Sequence, residues 1–92
     1  MNTRRMTPTE LLAIIDKAGV GPIRAAQMAC CADVAVLYRY LPATNRGGMS
    51  DLDCPAPISR LLCIHLLFEG LAVDLARPWV PDELAAVLAP II

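Results

Sequence analysis

The sequence predicts an all-α fold, a compact bundle of four to five short helices with a C-terminal helical extension. Three observations carry this prediction. Helix-start signals stand at Thr7-Pro8-Thr9-Glu10, at Gly21-Pro22 and at Asp33. Behind each, apolar residues recur at spacings of three and four, the helical period. Gly19, Pro42, Gly70 and Pro90 then close helical stretches, as left-handed caps or as residues that cannot extend the hydrogen-bond ladder.

The first helix is expected over Pro8 to Ala18. Thr7 and Glu10 form a capping box, Pro8 suits the first helical position, and Leu11, Ile14, Ile15 and Ala18 share one face. Pro22 opens a second helix that Ile23, Ala25, Ala26, Met28 and Ala29 carry to about Cys30. Its small residues let another helix approach closely. Asp33 caps a third helix running to about Leu41, with Val34, Leu37 and Leu41 on one face, Tyr40 flanking it and Pro42 stopping it. Pro42 to Pro57 reads as a loop rich in Gly, Pro, Asn, Ser and Asp, long for a compact domain.

A fourth helix is expected over Pro57 to Glu69. Ile58, Leu61, Leu62, His65 and Phe68 form one stripe, while Ile64, Leu67 and Leu71 form another. A helix apolar on two sides sits at the centre of a core and keeps a face for the C-terminal segment or a partner. From Leu71 to Pro78 the signal is ambiguous, because Leu71, Val73 and Leu75 alternate like a strand. Pro81-Asp82-Glu83 opens a last short helix with Leu84, Val87 and Leu88 on one face. The expected division is residues 1–70 as one domain and 71–92 as an extension packed on the core or on a dimer partner.

Apolar residues make up 57% of the 92 positions, above the ~45–50% usual in soluble domains. A chain this short buries only a modest core, so the excess predicts a homodimer. No stretch of about 20 apolar residues is uninterrupted, since His65, Glu69, Gly70 and Asp74 break the longest. No export signal is legible either, and the expected location is the cytoplasm. The net charge of −1 hides an asymmetry. Residues 1–50 carry six basic against three acidic side chains (+3), and residues 51–92 two against six (−4). That pattern fits a basic face turned to a polyanion. Of the four cysteines, Cys30 and Cys31 are adjacent and no paired C-x2-C knuckle exists, so neither zinc nor disulfides are expected. Cys30 and Cys31 read as the buried pair and Cys54, in the proline-rich loop, as exposed.

Several of these features resemble the Cro/CI (XRE-like) helix-turn-helix family of phage and bacterial regulators, with its lambda-repressor-like DNA-binding domain. The matching elements are Thr7-Pro8-x-Glu10-Leu11-Leu12, Ala25-Ala26, Tyr40-Leu41 and Pro57-Ile58-Ser59-Arg60-Leu61-Leu62, and they span about Thr7 to Leu67. The chain departs from the family where Cys30-Cys31 takes the place of the turn glycine. It departs again in a turn that reads one residue longer and in the lengthened loop before the fourth helix.

The resemblance implies a helix-turn-helix core whose third helix enters the major groove of double-stranded DNA. The positions it assigns to contact are Val34, Ala35, Val36, Tyr38 and Arg39. Arg39 alone offers the paired donors that read guanine; Ala35 or Val36 suits a thymine methyl and Tyr38 a phosphate. Arg24, Asn45 and Arg46 are assigned to the DNA backbone, with Arg4 and Arg5 as a basic arm. A helix so poor in polar readers leaves a protein partner as the alternative, as in a small phage-type inhibitor or a transcription cofactor. No enzyme is expected: His65 is the sole histidine and lies in an apolar stripe, and Gly47-Gly48 lacks the lysine and strand of a phosphate loop. Trp79 reads as a packing anchor. No cofactor or metal is implied.

Overall fold

The computed structural model describes residues 5–41 and 53–88. Among these it contains six α-helices and one 3-10 turn: α1 (Pro8–Ala18), α2 (Gly21–Met28), α3 (Val34–Tyr38), α4 (Ala56–Glu69), α5 (Val73–Ala76), the 3-10 turn (Arg77–Trp79) and α6 (Asp82–Leu88).

Each boundary has a local cause. At the start of α1 the Glu10 N–H donates to Thr7 Oγ1 at 3.2 Å and the Thr7 N–H donates to Glu10 Oε1 at 3.0 Å, a reciprocal capping box. Gly19 ends the helix at φ +70°, its N–H donating to the Ile15 carbonyl at 3.0 Å. Leu11, Ile14 and Ile15 are buried. α2 ends in a left-handed residue that is not glycine: Cys30 has φ +57°. Its N–H donates to the Gln27 carbonyl (3.1 Å) and the next N–H, of Cys31, to that of Ala26 (2.9 Å). Those two bonds make a Schellman motif. Asp33 caps α3 as expected, accepting from the Ala35 N–H at 2.7 Å.

The segment before α4 is tied to the segment before α1. Cys54 donates its N–H to the Met6 carbonyl at 2.8 Å in an isolated antiparallel bridge, and both side chains are fully buried. Ser59 is the one buried polar side chain among the described residues, and its hydroxyl donates back to the Pro55 and Ala56 carbonyls at 3.4 and 3.3 Å. α4 closes on Gly70 (φ +72°), with the Leu71 N–H donating to the Leu66 carbonyl at 2.8 Å. Ser59, Leu62, Cys63, Leu66 and Leu67 form its buried face. α5, the 3-10 turn and α6 pack on α4 and add Ala76, Trp79, Val80, Ala85 and Leu88 to the same core. Among the described residues, no helix is long and apolar enough to cross a membrane.

Several expectations are corrected. The second helix stops at Met28 rather than Cys30, and the third at Tyr38 rather than Leu41; Arg39 and Tyr40 form a turn. α4 begins one residue early and buries a different face. Of the stripe Ile58, Leu61, Leu62, His65 and Phe68 only Leu62 is fully buried, and Phe68 is 60% exposed. The alternating segment after Leu71 is helical, because Gly70 and the left-handed Ala72 (φ +48°) turn the chain so that α5 folds back on α4. On α6, Val87 points outward and Ala85 inward. Among the cysteines, Cys63 is buried, but the expected burial of the others is reversed: Cys54 is buried, Cys31 is half-buried and Cys30 is exposed. Of the Pro42–Pro57 loop, residues 42–52 lie outside the described residues.

Candidate nucleic-acid interface

α2 and α3 form a tight helical corner. Ala25 and Ala26 on α2 and Leu37 on α3 are all buried, and the small alanines let the two helices approach. The Schellman turn at Cys30-Cys31 and the Asp33 cap satisfy the backbone groups that α2 and α3 would otherwise leave open at the corner. With Leu37 inward and Val34 half-buried against the core, the opposite side of α3 faces outward. It carries Ala35, Tyr38 and Arg39, at spacings of three and four. Arg39 keeps right-handed helical dihedrals (φ −61°, ψ −24°), so it continues this face although it lies past the last helical residue. Val36 is half-buried beside them.

The chemistry of the face is limited. It offers one guanidinium, one phenol and one methyl, with no carboxylate of the described residues paired to Arg39. Asp33 stands at the start of the helix, its carboxylate engaged by the Ala35 N–H. Arg5 is exposed just before the Met6–Cys54 bridge. Arg4, Asn45 and Arg46 lie outside the described residues.

Arg24, expected at the DNA backbone, engages a carboxylate of its own chain. Its Nη2 donates to Glu69 Oε1 at 2.6 Å, joining α2 to the last residue of α4. The pair lines an open groove of about 230 Å³ together with Gln27, Met28 and His65. His65 Nδ1 donates to the Leu61 carbonyl one turn back at 3.0 Å, which directs Nε2 away from its own helix backbone. Nothing in the local sequence signals the Arg24–Glu69 pair, because its partners stand 45 residues apart.

Two exposed apolar side chains flank this region. Ile23 on α2 is 67% exposed, and Phe68 continues an outer α4 face with Leu61, Ile64 and His65. The sequence placed Phe68 in an apolar stripe and Ile23 among the apolar residues of the second helix, and so missed their exposure. Burial pushes the Cys54 and Cys63 thiols up to about 12, with the Cys31 and Cys54 thiols respectively adding to the effect. These cysteines pack as small hydrophobes. Among the described residues no group of His, Cys, Asp or Glu could hold a metal ion. Comparison of the chain with family models, with curated proteins and with solved structures finds no match.

Proposed function

We propose that this protein is a double-stranded-DNA-binding transcriptional regulator of the Cro/CI type, which lays the outer face of α3 in the major groove and acts as a homodimer. One observation carries the reading: a helix packed on α2 presents Tyr38 and Arg39 outward beside Ala35. Arg39 supplies a base contact of about 1–3 kcal/mol. Specific sites are usually preferred by ~4–10 kcal/mol, so one such contact is insufficient and two subunits on two half-sites are required. The +3 charge of residues 1–50 is likewise small for one subunit and doubles in a dimer. The outer face of α4, with Leu61, Ile64 and Phe68 at helical spacing, supplies apolar surface for the dimer contact.

The test is fluorescence anisotropy on duplexes from the gene's own promoter region and on scrambled duplexes, at several salt concentrations. Light scattering of the free protein accompanies it. Salt-dependent preference for one duplex by a species near 20 kDa supports the reading. No binding above the scrambled control refutes it. A second reading, a helix-turn-helix fold that binds protein, is favoured by the exposure of Ile23 and Phe68 and by the single guanidinium of the α3 face. It predicts loss of a captured partner on Ile23→Asp with no effect of DNA.

A further inference from the structure

We infer that Glu69 withholds Arg24 from the nucleic acid and thereby sets how tightly the protein binds it; this inference rests on the DNA-binding reading. Arg24 sits on α2, the helix that packs against α3, and its side chain is 55% exposed, so it is open to a polyanion. The guanidinium is nevertheless bonded through Nη2 to Glu69 Oε1 at 2.6 Å. A phosphate approaching Nη2 meets a carboxylate already in place, with a negative charge of the same sign. It must displace Glu69 or share the arginine with it.

The pair is not a structural necessity. Both groups are solvent-accessible, and ion pairs of this kind contribute little to stability. Glu69 is also the last residue of α4, where the negative end of the helix dipole disfavours a carboxylate. A residue that gains little for the fold, placed against the helix end that repels it, holds an arginine that the DNA-binding reading assigns to the phosphates. The consequence is fewer phosphate contacts per subunit than the arginines suggest, and an affinity that the carboxylate keeps low.

The experiment compares the parent with Glu69→Gln, which keeps the shape and removes the charge. Arg24→Ala, the Arg24→Ala/Glu69→Gln double variant, and Glu83→Gln, an exposed carboxylate on α6, serve as controls. Each is titrated onto the same duplex between low and moderate salt. The expected result is that Glu69→Gln binds roughly fivefold more tightly at low salt, with a slope of log K against log salt steeper by about 0.9 per subunit. That gain disappears in the Arg24→Ala background, and Glu83→Gln shows none of it. If Glu69→Gln matches Glu83→Gln, or keeps its gain without Arg24, the inference is overturned while DNA binding stands. If no variant binds DNA, both fall together.

Discussion

Cys30 occupies a backbone conformation suited to glycine, and replacing it with glycine should stabilise the protein. At φ +57° a Cβ crowds its own backbone, at a cost of about 1–2 kcal/mol for an L-residue in the left-handed region. Glycine removes that cost but makes the unfolded chain freer, which takes back about 0.4–1 kcal/mol. The thiol is exposed, so its removal sacrifices no packing. The two hydrogen bonds of the turn, from the Cys30 and Cys31 N–H groups, are backbone bonds that the substitution leaves in place. The net expectation for Cys30→Gly is a gain of about 0.5–1 kcal/mol, or roughly 2–8 °C in melting temperature for a domain of this size. Cys30→Ala separates the causes, because it removes the thiol and keeps the Cβ; it should change stability by less than about 0.5 kcal/mol. Urea unfolding followed by circular dichroism measures both variants against the parent. If Cys30→Gly is no more stable than Cys30→Ala, the left-handed strain is absent and the reasoning fails.

The remaining cysteines give an opposite pattern. Cys54→Ser should cost about 1–3 kcal/mol, because its side chain is fully buried, with a long 3.7 Å approach to the Pro55 carbonyl and the Ser59 backbone as its polar neighbours, whereas Cys30→Ser should be close to neutral; equal unfolding midpoints would contradict this. At pH 8 an aromatic disulfide reagent should modify Cys30 rapidly, Cys31 more slowly, and Cys54 and Cys63 only after unfolding; four fast thiols in the native protein would refute the burial. Because folding raises the Cys54 and Cys63 values above the ordinary thiol value of 9.0 to about 12, their stabilising contribution is complete below pH 9. It is lost as pH climbs toward 12, so urea midpoints should fall between pH 8.5 and 11, and less steeply in Cys63→Ala. In the proposed DNA complex, Arg39→Ala should cost about 1–3 kcal/mol and relax sequence preference at one position per half-site, measured by anisotropy on operator variants; unchanged operator affinity would remove α3 from the interface.

The features legible in the sequence are those decided within a few residues along the chain. α1 is the clearest case: Thr7, Pro8 and Glu10 satisfy its first turn among themselves and Gly19 its last, so no distant partner is needed. The Asp33 cap and the Gly70 stop are local in the same way. Even the departure at Cys30 could be located from the sequence, since it stands where the resembled family carries glycine, and the structure gives it the left-handed conformation that glycine favours. Tertiary structure alone decided which face of α4 is buried. The helix is apolar nearly all round, so its period selects no side. The docking of α5, the 3-10 turn and α6 helps select the Leu62–Leu66 side and leaves Phe68 outside. It also decided the fate of Cys54, buried because a backbone bond to Met6 brings together two segments 48 residues apart. The same holds for Arg24. Its spacing on α2 marks it as an exposed cation, but the carboxylate that engages it comes from the far end of another helix, and only the packing of α2 on α4 brings the two within 2.6 Å.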